Sequence, residues 1–206
     1  MVKAKEVPVK LPPPALQGKI SVEEAISRRR SVRRFRPVPL SLQQLSQLLW
    51  AAQGITGSGG RRAAPSAGAT YPLEVFVAVG QNEVENLAPG IYHYQVDNHS
   101  LMPHLMKDLR QELAEAALGQ TFVASCSVDI IICALYLRTG YRYGRRGERY
   151  VHMEVGHVGQ NISLEAVALG LASVMVGAFD DEQVRKVLKL EEQIKPLYII
   201  PVGSST

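Results

Sequence analysis

An arginine-rich segment near the N-terminus carries side chains suited to binding an anion. It reads RRRSVRRFR and places six arginines and one serine between Arg28 and Arg36. Guanidinium groups and a hydroxyl in such a cluster can converge on one phosphate through charge-assisted hydrogen bonds. The same composition suits a solvated basic run or a nucleic-acid patch. Val32 and Phe35, which are apolar, favour a folded element over a basic tail.

A small-residue loop offers a second kind of binding chemistry. The stretch RAAPSAGATYP precedes an alternating apolar run and presents backbone with almost no side-chain bulk at Pro65, Ser66, Ala67, Gly68 and Ala69. Backbone N–H groups in such a loop can lie against a planar ring. A plain surface loop is the alternative. The stretch contains no GxGxxG and no P-loop motif, so neither of these phosphate-binding fingerprints is present.

A third segment, YRYGRRGERY, alternates arginine with tyrosine between Tyr141 and Tyr150. This pattern can bind single-stranded nucleic acid by stacking, and in front of a helix it also suits a lid or a subunit contact. We do not expect nucleic acid to be the partner, and we keep a basic nucleic-acid-binding module only as an alternative function.

Motifs for nucleophilic or metal catalysis are absent from the sequence. There is no GxSxG and no HExxH, and the five histidines form no ligand cluster, because His152 and His157 are five residues apart and do not share a helical face. The two cysteines, Cys126 and Cys133, have no CxxC spacing and are predicted to be buried thiols. We therefore expect no metal site, and neither a hydrolase nor a metalloenzyme is supported.

Helices and strands that could position these segments follow from capping and periodicity. Ser21 with Glu24, and Ser41 with Gln44, predict two capped helices, the second ended by Gly54 in a left-handed conformation. The Pro-Ser loop then leads into a strand. The full prediction is helices at 22–30, 42–53, 108–118 (stopped by Gly119), 149–171 and after Asp180, and strands at 73–79, 91–96, 100–105, 127–137, 172–178 and 197–202. This order is mixed α and β without strict βαβ alternation or an internal repeat.

Composition sets the broad class. The chain has 206 residues, of which 46% are hydrophobic, and a net charge of +4, which is near globular averages and sufficient for one core. We predict a flexible N-terminal arm over residues 1–18 and one domain over residues 19–206. Neither a transmembrane helix nor a secretory signal is visible, so we expect a soluble cytoplasmic protein with no membrane partner.

Four segments in this order resemble the nitroreductase family of FMN-dependent oxidoreductases, and within it the SagB-type dehydrogenase branch. The segments are RRRSVRRF, RAAPSAGATYPLEV, GHVGQNISLEAVALGLASVMVGAFDDEQVRKVL and PLYIIPVG, and the similarity runs from about Ser21 to Gly203. The resemblance implies an α+β fold: a three-layer sandwich with a mixed, mainly antiparallel sheet flanked by helices. It also implies a homodimer with FMN at the subunit interface.

The resemblance assigns residues to the flavin. Those implied to hold its ribityl and phosphate groups are Arg29, Ser31 and Arg33, with Arg30 beside them. Those implied to cover the ring from the neighbouring subunit are Pro65, Ser66, Ala67 and Gly68. The segment Val176, Gly177 and Ala178 would lie along the ring, and Gln120 matches a further flavin-contacting position. Many family members continue past the PVG motif into an arm that adds basic contacts, whereas this sequence stops at Thr206. We therefore expect Arg28, Arg33 or Arg34 to carry more of the phosphate charge.

The expected activity is hydride transfer from NADH or NADPH through flavin to a small electrophilic acceptor, of the nitroaromatic or quinone type, by a ping-pong mechanism. The alternative within the branch is oxidation of azoline rings in a modified peptide. Branch members with that activity tend to carry a Lys-Tyr pair before the long helix, and the corresponding residues here are Arg142 and Tyr143. Arginine stays protonated and cannot act as the general base, so azole formation is disfavoured, while Tyr143 remains a candidate proton donor. The sequence leaves the choice between NADH and NADPH open.

Overall fold

One large antiparallel sheet organises the molecule. The computed structural model describes residues 7–205. Eight strands form the sheet in the order β1-β7-β6-β5-β8-β10-β2, with β9 paired to β10, and β3 with β4 forms a separate pair. Every pair of strands is antiparallel, and the parallel pairings are single bridges. The strands are β1 (Val9–Lys10), β2 (Phe35–Arg36), β3 (Ile55–Gly57), β4 (Arg61–Arg62), β5 (Leu73–Val79), β6 (Gly90–Gln95), β7 (Ser100–Leu105), β8 (Val128–Ala134), β9 (Ala172–Ser173) and β10 (Lys195–Ser205).

Helices cover both faces of this sheet. They are α1 (Val22–Arg28), α2 (Leu42–Gln53), α3 (Arg110–Ala116), α4 (Thr121–Ser125), α5 (Tyr136–Tyr143), α6 (Arg146–Ala168) and α7 (Asp181–Val187). Apolar side chains of α2 and α6 pack on one face, and those of α3, α4 and α7 pack on the other. Every residue of β8 is buried at the centre, as its β-branched composition predicts. The arrangement is the three-layer α+β sandwich expected from the sequence.

Two predicted helix starts rest on the expected side-chain caps. The Ser21 hydroxyl accepts a hydrogen bond from the Glu24 N–H, and Ser41 and Gln44 form a complete reciprocal capping box at the start of α2. The end of α2 differs from the prediction, because Gly54 has φ −61° and extended backbone. A Cβ at Gly54 would overlap the Trp50 ring. Glycine is therefore required here by close packing and not by a left-handed backbone.

The N-terminal segment also differs from the flexible arm that the sequence predicts. Residues 1–6 lie outside the described part of the chain, but β1 pairs with β7 and Leu11 is buried. The side-chain amide of Gln47 bonds both the N–H and the carbonyl of Ala15, at 2.8 and 3.0 Å. His99 and Ser46 bind the carbonyl of Pro12. The burial of Leu11 and polar groups of other elements thus anchor this segment.

Two further boundaries depart from the sequence prediction. The region before the long helix contains the separate helix α5, which periodicity did not predict, and α6 begins three residues earlier than expected. The predicted strand at 172–178 is regular only at Ala172–Ser173 and rejoins β10 at a single bridge between Val176 and Ile199. Pro201 faces the gap and has no N–H to donate, so the ladder is incomplete there. No helix within residues 7–205 is long and apolar enough to cross a membrane.

Candidate functional site

The arginine-rich segment leaves α1 and runs along the end of the sheet. The Arg29 N–H donates to the Ala25 carbonyl at the end of the helix. Ser31 then forms a parallel bridge with Ser173 of β9, and the Val32 N–H donates to the Ser173 carbonyl at 3.0 Å. The segment is therefore a folded element attached to the sheet, as its apolar residues predict.

Its cationic side chains divide into two kinds. Arg28 pairs with Glu24 at 2.6 Å, and the Arg30 guanidinium donates to the carbonyls of Ser27 and Arg29. Within residues 7–205, neither Arg29 nor Arg33 has a carboxylate within 4.0 Å, and the hydroxyl of Ser31 makes no hydrogen bond. Arg34 has no carboxylate within this distance in the described chain either, and Arg36 donates to the Ser205 carbonyl. Three guanidiniums and one hydroxyl therefore remain available to an external anion.

The predicted ring-contacting segment lies beside Gln120. The Gln120 side-chain amide donates to the Ala178 carbonyl at 2.9 Å and to the Ala117 carbonyl at 2.8 Å. Val176 is fixed to the sheet by two backbone bonds with Ile199. Gly177 and Ala178 are exposed, and their N–H groups have no acceptor in the described chain. This segment thus presents two unpaired backbone donors on a supported turn.

The arginine-rich segment also lies close to Gln120 and Ala178. The Arg33 guanidinium lies 5.9 Å from the centre of the Phe122 ring, at the start of α4, and Gln120 is the residue that precedes this helix. Arg33, Gln120 and Ala178 therefore share one neighbourhood around α4. We call the set Arg29, Ser31, Arg33, Gln120 and Val176–Ala178 the arginine group.

The Pro-Ser loop has a tight backbone. Gly68 has φ +59° and Ala69 has φ +53° within the short turn Ala67–Ala69. The hydroxyl of Ser66 accepts a hydrogen bond from the Tyr71 N–H at 3.0 Å, so it is used inside the loop. The N–H groups of Ser66, Ala67 and Gly68 have no acceptor among the described residues. What the loop can offer a ligand is therefore backbone, as the sequence predicts.

Arg142 and Tyr143 lie directly against this loop. Arg142 Nη1 donates to the Gly68 carbonyl at 3.2 Å. A Cβ at Gly68 would be only 2.5 Å from Tyr143 Oη and 2.9 Å from Arg142 Nε. The Tyr143 ring also contacts the Tyr150 ring edge-on, with 5.0 Å between their centres. Tyr143 therefore belongs with Pro65–Gly68, and we call these residues together with Arg142 the loop group.

A buried polar cluster beneath the loop was not predicted from the sequence. Glu154 of α6 is 2% exposed and lies beside the Ser66 hydroxyl and the Gln53 amide, and burial raises its pKa above the usual value. Within residues 7–205, Glu154 Oε1 and Gln53 Nε2 have no hydrogen-bond partner. The Arg62 guanidinium donates to Gln53 Oε1 at 2.9 Å and covers the Tyr71 ring. The cluster ties both ends of the loop to α2 and α6. Its members were missed because a single polar residue on a helix carries no sequence signal of burial.

The two groups occupy opposite ends of the sheet within one chain. The loop group precedes β5, whose first residue, Leu73, is in register with Ala134 and Lys195. The arginine group reaches β10 through the pairing of Ser173 with Val202, which is in register with Val79 at the other end of β5. Six residue steps along a strand separate these ends by about 20 Å.

Cys126 and Cys133 are free and fully buried, as predicted, and burial raises the pKa of both thiols. Within residues 7–205, no three histidine, cysteine, aspartate or glutamate side chains are grouped as metal ligands.

Comparisons with known proteins place this arrangement in context. The sequence model of the Nitroreductase family matches residues 26–204. The chain is 48% identical over 184 residues to "Putative nitroreductase MJ1384" of Methanocaldococcus jannaschii, covering 89% of this chain and 91% of that protein. It is 30% identical over 165 residues to the microcin B17-processing protein McbC of Escherichia coli, covering 78% of this chain and 61% of McbC. The chain thus spans less than two thirds of the length of McbC.

A solved structure agrees with the fold. The crystal structure of a putative nitroreductase from Ralstonia eutropha superposes with a TM-score of 0.85 at 29% identity, covering 100% of this chain and 92% of that one.

Proposed function

Because the chain belongs to the nitroreductase family, we propose that it is an FMN-dependent oxidoreductase. In this proposal NADH or NADPH is the reductant, and a small electrophilic acceptor such as a nitroaromatic or a quinone takes up two electrons in a ping-pong cycle. When bound, FMN supplies the redox chemistry by accepting a hydride from the nicotinamide and passing the electrons on. Family membership supports oxidoreduction by a flavin, and the residues of this chain support the finer assignment.

The observation that carries the proposal is the unpaired donor set of the arginine group. Arg29, Ser31 and Arg33 offer charged and neutral donors to a phosphate without a competing carboxylate. The exposed N–H groups of Gly177 and Ala178 offer donors to the edge of a flat ring. The donor types therefore fit both ends of FMN, a phosphate and an aromatic ring with carbonyl oxygens. Arg30 contributes positive charge, although its guanidinium is turned to backbone carbonyls. Arg28 contributes less than expected because it pairs with Glu24.

The sheet register supports a site shared between two copies. The loop group lies about 20 Å along the strands from the point where Ser31 joins β9. In a homodimer, Pro65–Gly68 of one subunit would cover the flavin held by the arginine group of the other. Tyr143 would then approach the same flavin with the loop, because its hydroxyl lies against Gly68. Its role in the proposal is to donate a proton to the acceptor.

A second candidate is oxidation of azoline rings in a modified peptide. The similarity to McbC, a microcin-processing protein, favours it. Against it stands Arg142, whose guanidinium stays protonated and is bonded to the Gly68 carbonyl. Oxidation of a thiazoline peptide with oxygen as acceptor, by the purified protein, would establish this activity in place of the first.

FMN titration of single variants tests the leading proposal. Arg29→Ala and Arg33→Ala should each weaken FMN binding by about 10- to 150-fold, because a charge-assisted hydrogen bond contributes about 1.5 to 3 kcal/mol. Lys186→Ala is the matched control, because Lys186 is exposed on α7 and its replacement removes one positive charge, as each arginine replacement does. Unchanged FMN affinity in both arginine variants would show that the phosphate site is elsewhere.

A further inference from the structure

A second cationic segment of the chain, besides residues 28–36, is left unexplained by the flavin assignment. Residues 138–149 contain five arginines and one acid, Glu148, which leaves eighteen basic and eighteen acidic residues elsewhere in the chain. The segment itself therefore carries a net charge of +4. The arginines are Arg138, Arg142, Arg145, Arg146 and Arg149.

Two of these arginines have partners and three do not. Arg138 pairs with Glu74 at 2.5 Å, and Arg142 bonds the Gly68 carbonyl. Within residues 7–205, no carboxylate lies within 4.0 Å of the guanidiniums of Arg145, Arg146 or Arg149, and all three side chains are exposed.

The unpaired arginines are in an electrostatically unfavourable arrangement. Arg145 and Arg149 are four residues apart, so their like charges lie on the same side of the helix and repel. Arg145 is the N-cap residue and Arg149 lies in the first turn of the 23-residue helix α6, where the helix dipole disfavours cations. Local helix stability would be served better by acidic residues at these positions. A bound anion would offset both costs.

Arg145 and Arg149 line a shallow concavity that also contains an imidazole and a thioether. Its walls are Arg145, Glu148, Arg149, His152 and Met153. The Tyr136 hydroxyl bonds His152 Nε2 at 2.6 Å, and Met153 is 52% exposed. An exposed thioether beside two guanidiniums suits a flat base that carries a phosphate group.

The concavity is close to the loop group. Gly147 packs tightly on α5, since a Cβ there would be 3.1 Å from the backbone of Thr139 and Gly140. The end of α5 and the start of α6 therefore form one compact pair. Tyr143, whose hydroxyl lies against Gly68, contacts the ring of Tyr150, the neighbour of Arg149 in α6, with 5.0 Å between the ring centres. A ligand in the concavity would thus lie beside the loop proposed to cover the flavin.

We propose that Arg145 and Arg149 bind the 2′-phosphate of NADPH and that the protein prefers NADPH to NADH. This inference rests on the proposed function and identifies its reductant. The two dinucleotides deliver the same hydride and differ only in the 2′-phosphate. A preference between them must therefore come from groups that recognise that phosphate, and the unpaired guanidiniums are such groups.

Calorimetric titration of the FMN-loaded protein with NADP⁺, NAD⁺ and 2′,5′-ADP tests the inference without depending on turnover. We expect NADP⁺ to bind at least about tenfold more tightly than NAD⁺, and 2′,5′-ADP to compete with it. Arg145→Gln and Arg149→Gln should each weaken NADP⁺ binding by about tenfold and leave NAD⁺ binding nearly unchanged. Lys186→Gln, with the same loss of charge on the opposite face of the sheet, should preserve the preference. Raising the salt concentration should reduce the ratio of NADP⁺ affinity to NAD⁺ affinity.

Several results would overturn the inference. One is equal affinity for NADP⁺ and NAD⁺ in protein whose absorbance shows bound FMN, which would leave the proposed function standing. Another is a preference for NADP⁺ that survives the double substitution. A third is arginine-dependent binding of an acidic peptide without any dinucleotide preference, which would assign the cationic surface to a peptide. Protein that binds no FMN at all would refute the proposed function, and this inference with it.

Discussion

Replacing Gly68 by alanine should destabilise the protein through two separable effects. Gly68 has φ +59°, and a non-glycine residue in the left-handed region costs about 1 to 2 kcal/mol. The new Cβ would also lie 2.5 Å from Tyr143 Oη and 2.9 Å from Arg142 Nε. Both side chains must then shift, which adds about 1 kcal/mol, at the low end of overpacking costs because these atoms are at flexible ends. The total is about 2 to 3 kcal/mol, or roughly 5 to 10 °C in melting temperature.

A matched glycine separates the two effects. Gly60 has φ +73° and nothing within 4 Å of its Cβ position, so Gly60→Ala measures the backbone cost alone. Urea unfolding of both variants should show a larger loss for Gly68→Ala. In a Tyr143→Phe background, which removes the nearest atom, the excess should shrink. Equal losses for the two glycines, or an excess unchanged by Tyr143→Phe, would refute the placement of Tyr143 against the loop.

Three further perturbations address the N-terminal anchor, the core and the chemistry. Burial lowers the pKa of His99, so the stability that its neutral form contributes should be lost as pH falls below about 6.5. The difference in unfolding free energy between wild type and His99→Asn should therefore be smaller at pH 5 than at pH 7.5. A difference that does not change with pH would contradict this. Burial raises the pKa of Asp129 well above its usual value. The unfolding free energy of wild type should therefore fall relative to that of Asp129→Asn as pH rises from 5 to 9. The same pH dependence of the unfolding free energy in both proteins would count against a neutral Asp129. Tyr143→Phe should lower kcat for acceptor reduction by about 100-fold at unchanged FMN affinity if Tyr143 donates a proton, and full activity would remove it from the chemistry.

Local signals predicted much of the scaffold. The Ser41 and Gln44 capping box, the stop at Gly119 with φ +75° and the alternating run of β5 are all encoded within a few residues, and each was predicted close to its observed position. The helix α5 was missed because it has no side-chain cap and because its first residues, Tyr136 and Leu137, were assigned to the end of the predicted strand 127–137. Its contact with Gly147 is tertiary.

Some features of the candidate site have a local sequence signal, and others depend on contacts between distant segments. Arginine clustering and the small-residue loop are visible in the composition, whereas the assignment of Arg29, Ser31 and the Pro-Ser loop to a flavin came from the family resemblance and stays a prediction. Which guanidiniums remain unpaired depends on neighbours, as Arg28 shows by pairing with Glu24. The burial of Glu154 and the docking of Ala15 on Gln47 depend on contacts between distant segments, which one sequence does not reveal.

The visible absorption spectrum of the purified protein tests the central claim most directly, with the chromophore then released and identified. The account predicts flavin absorption bands, release of FMN, and loss of the bands in the combined Arg29→Ala and Arg33→Ala variant. A colourless protein whose spectrum does not change when FMN is added would contradict it.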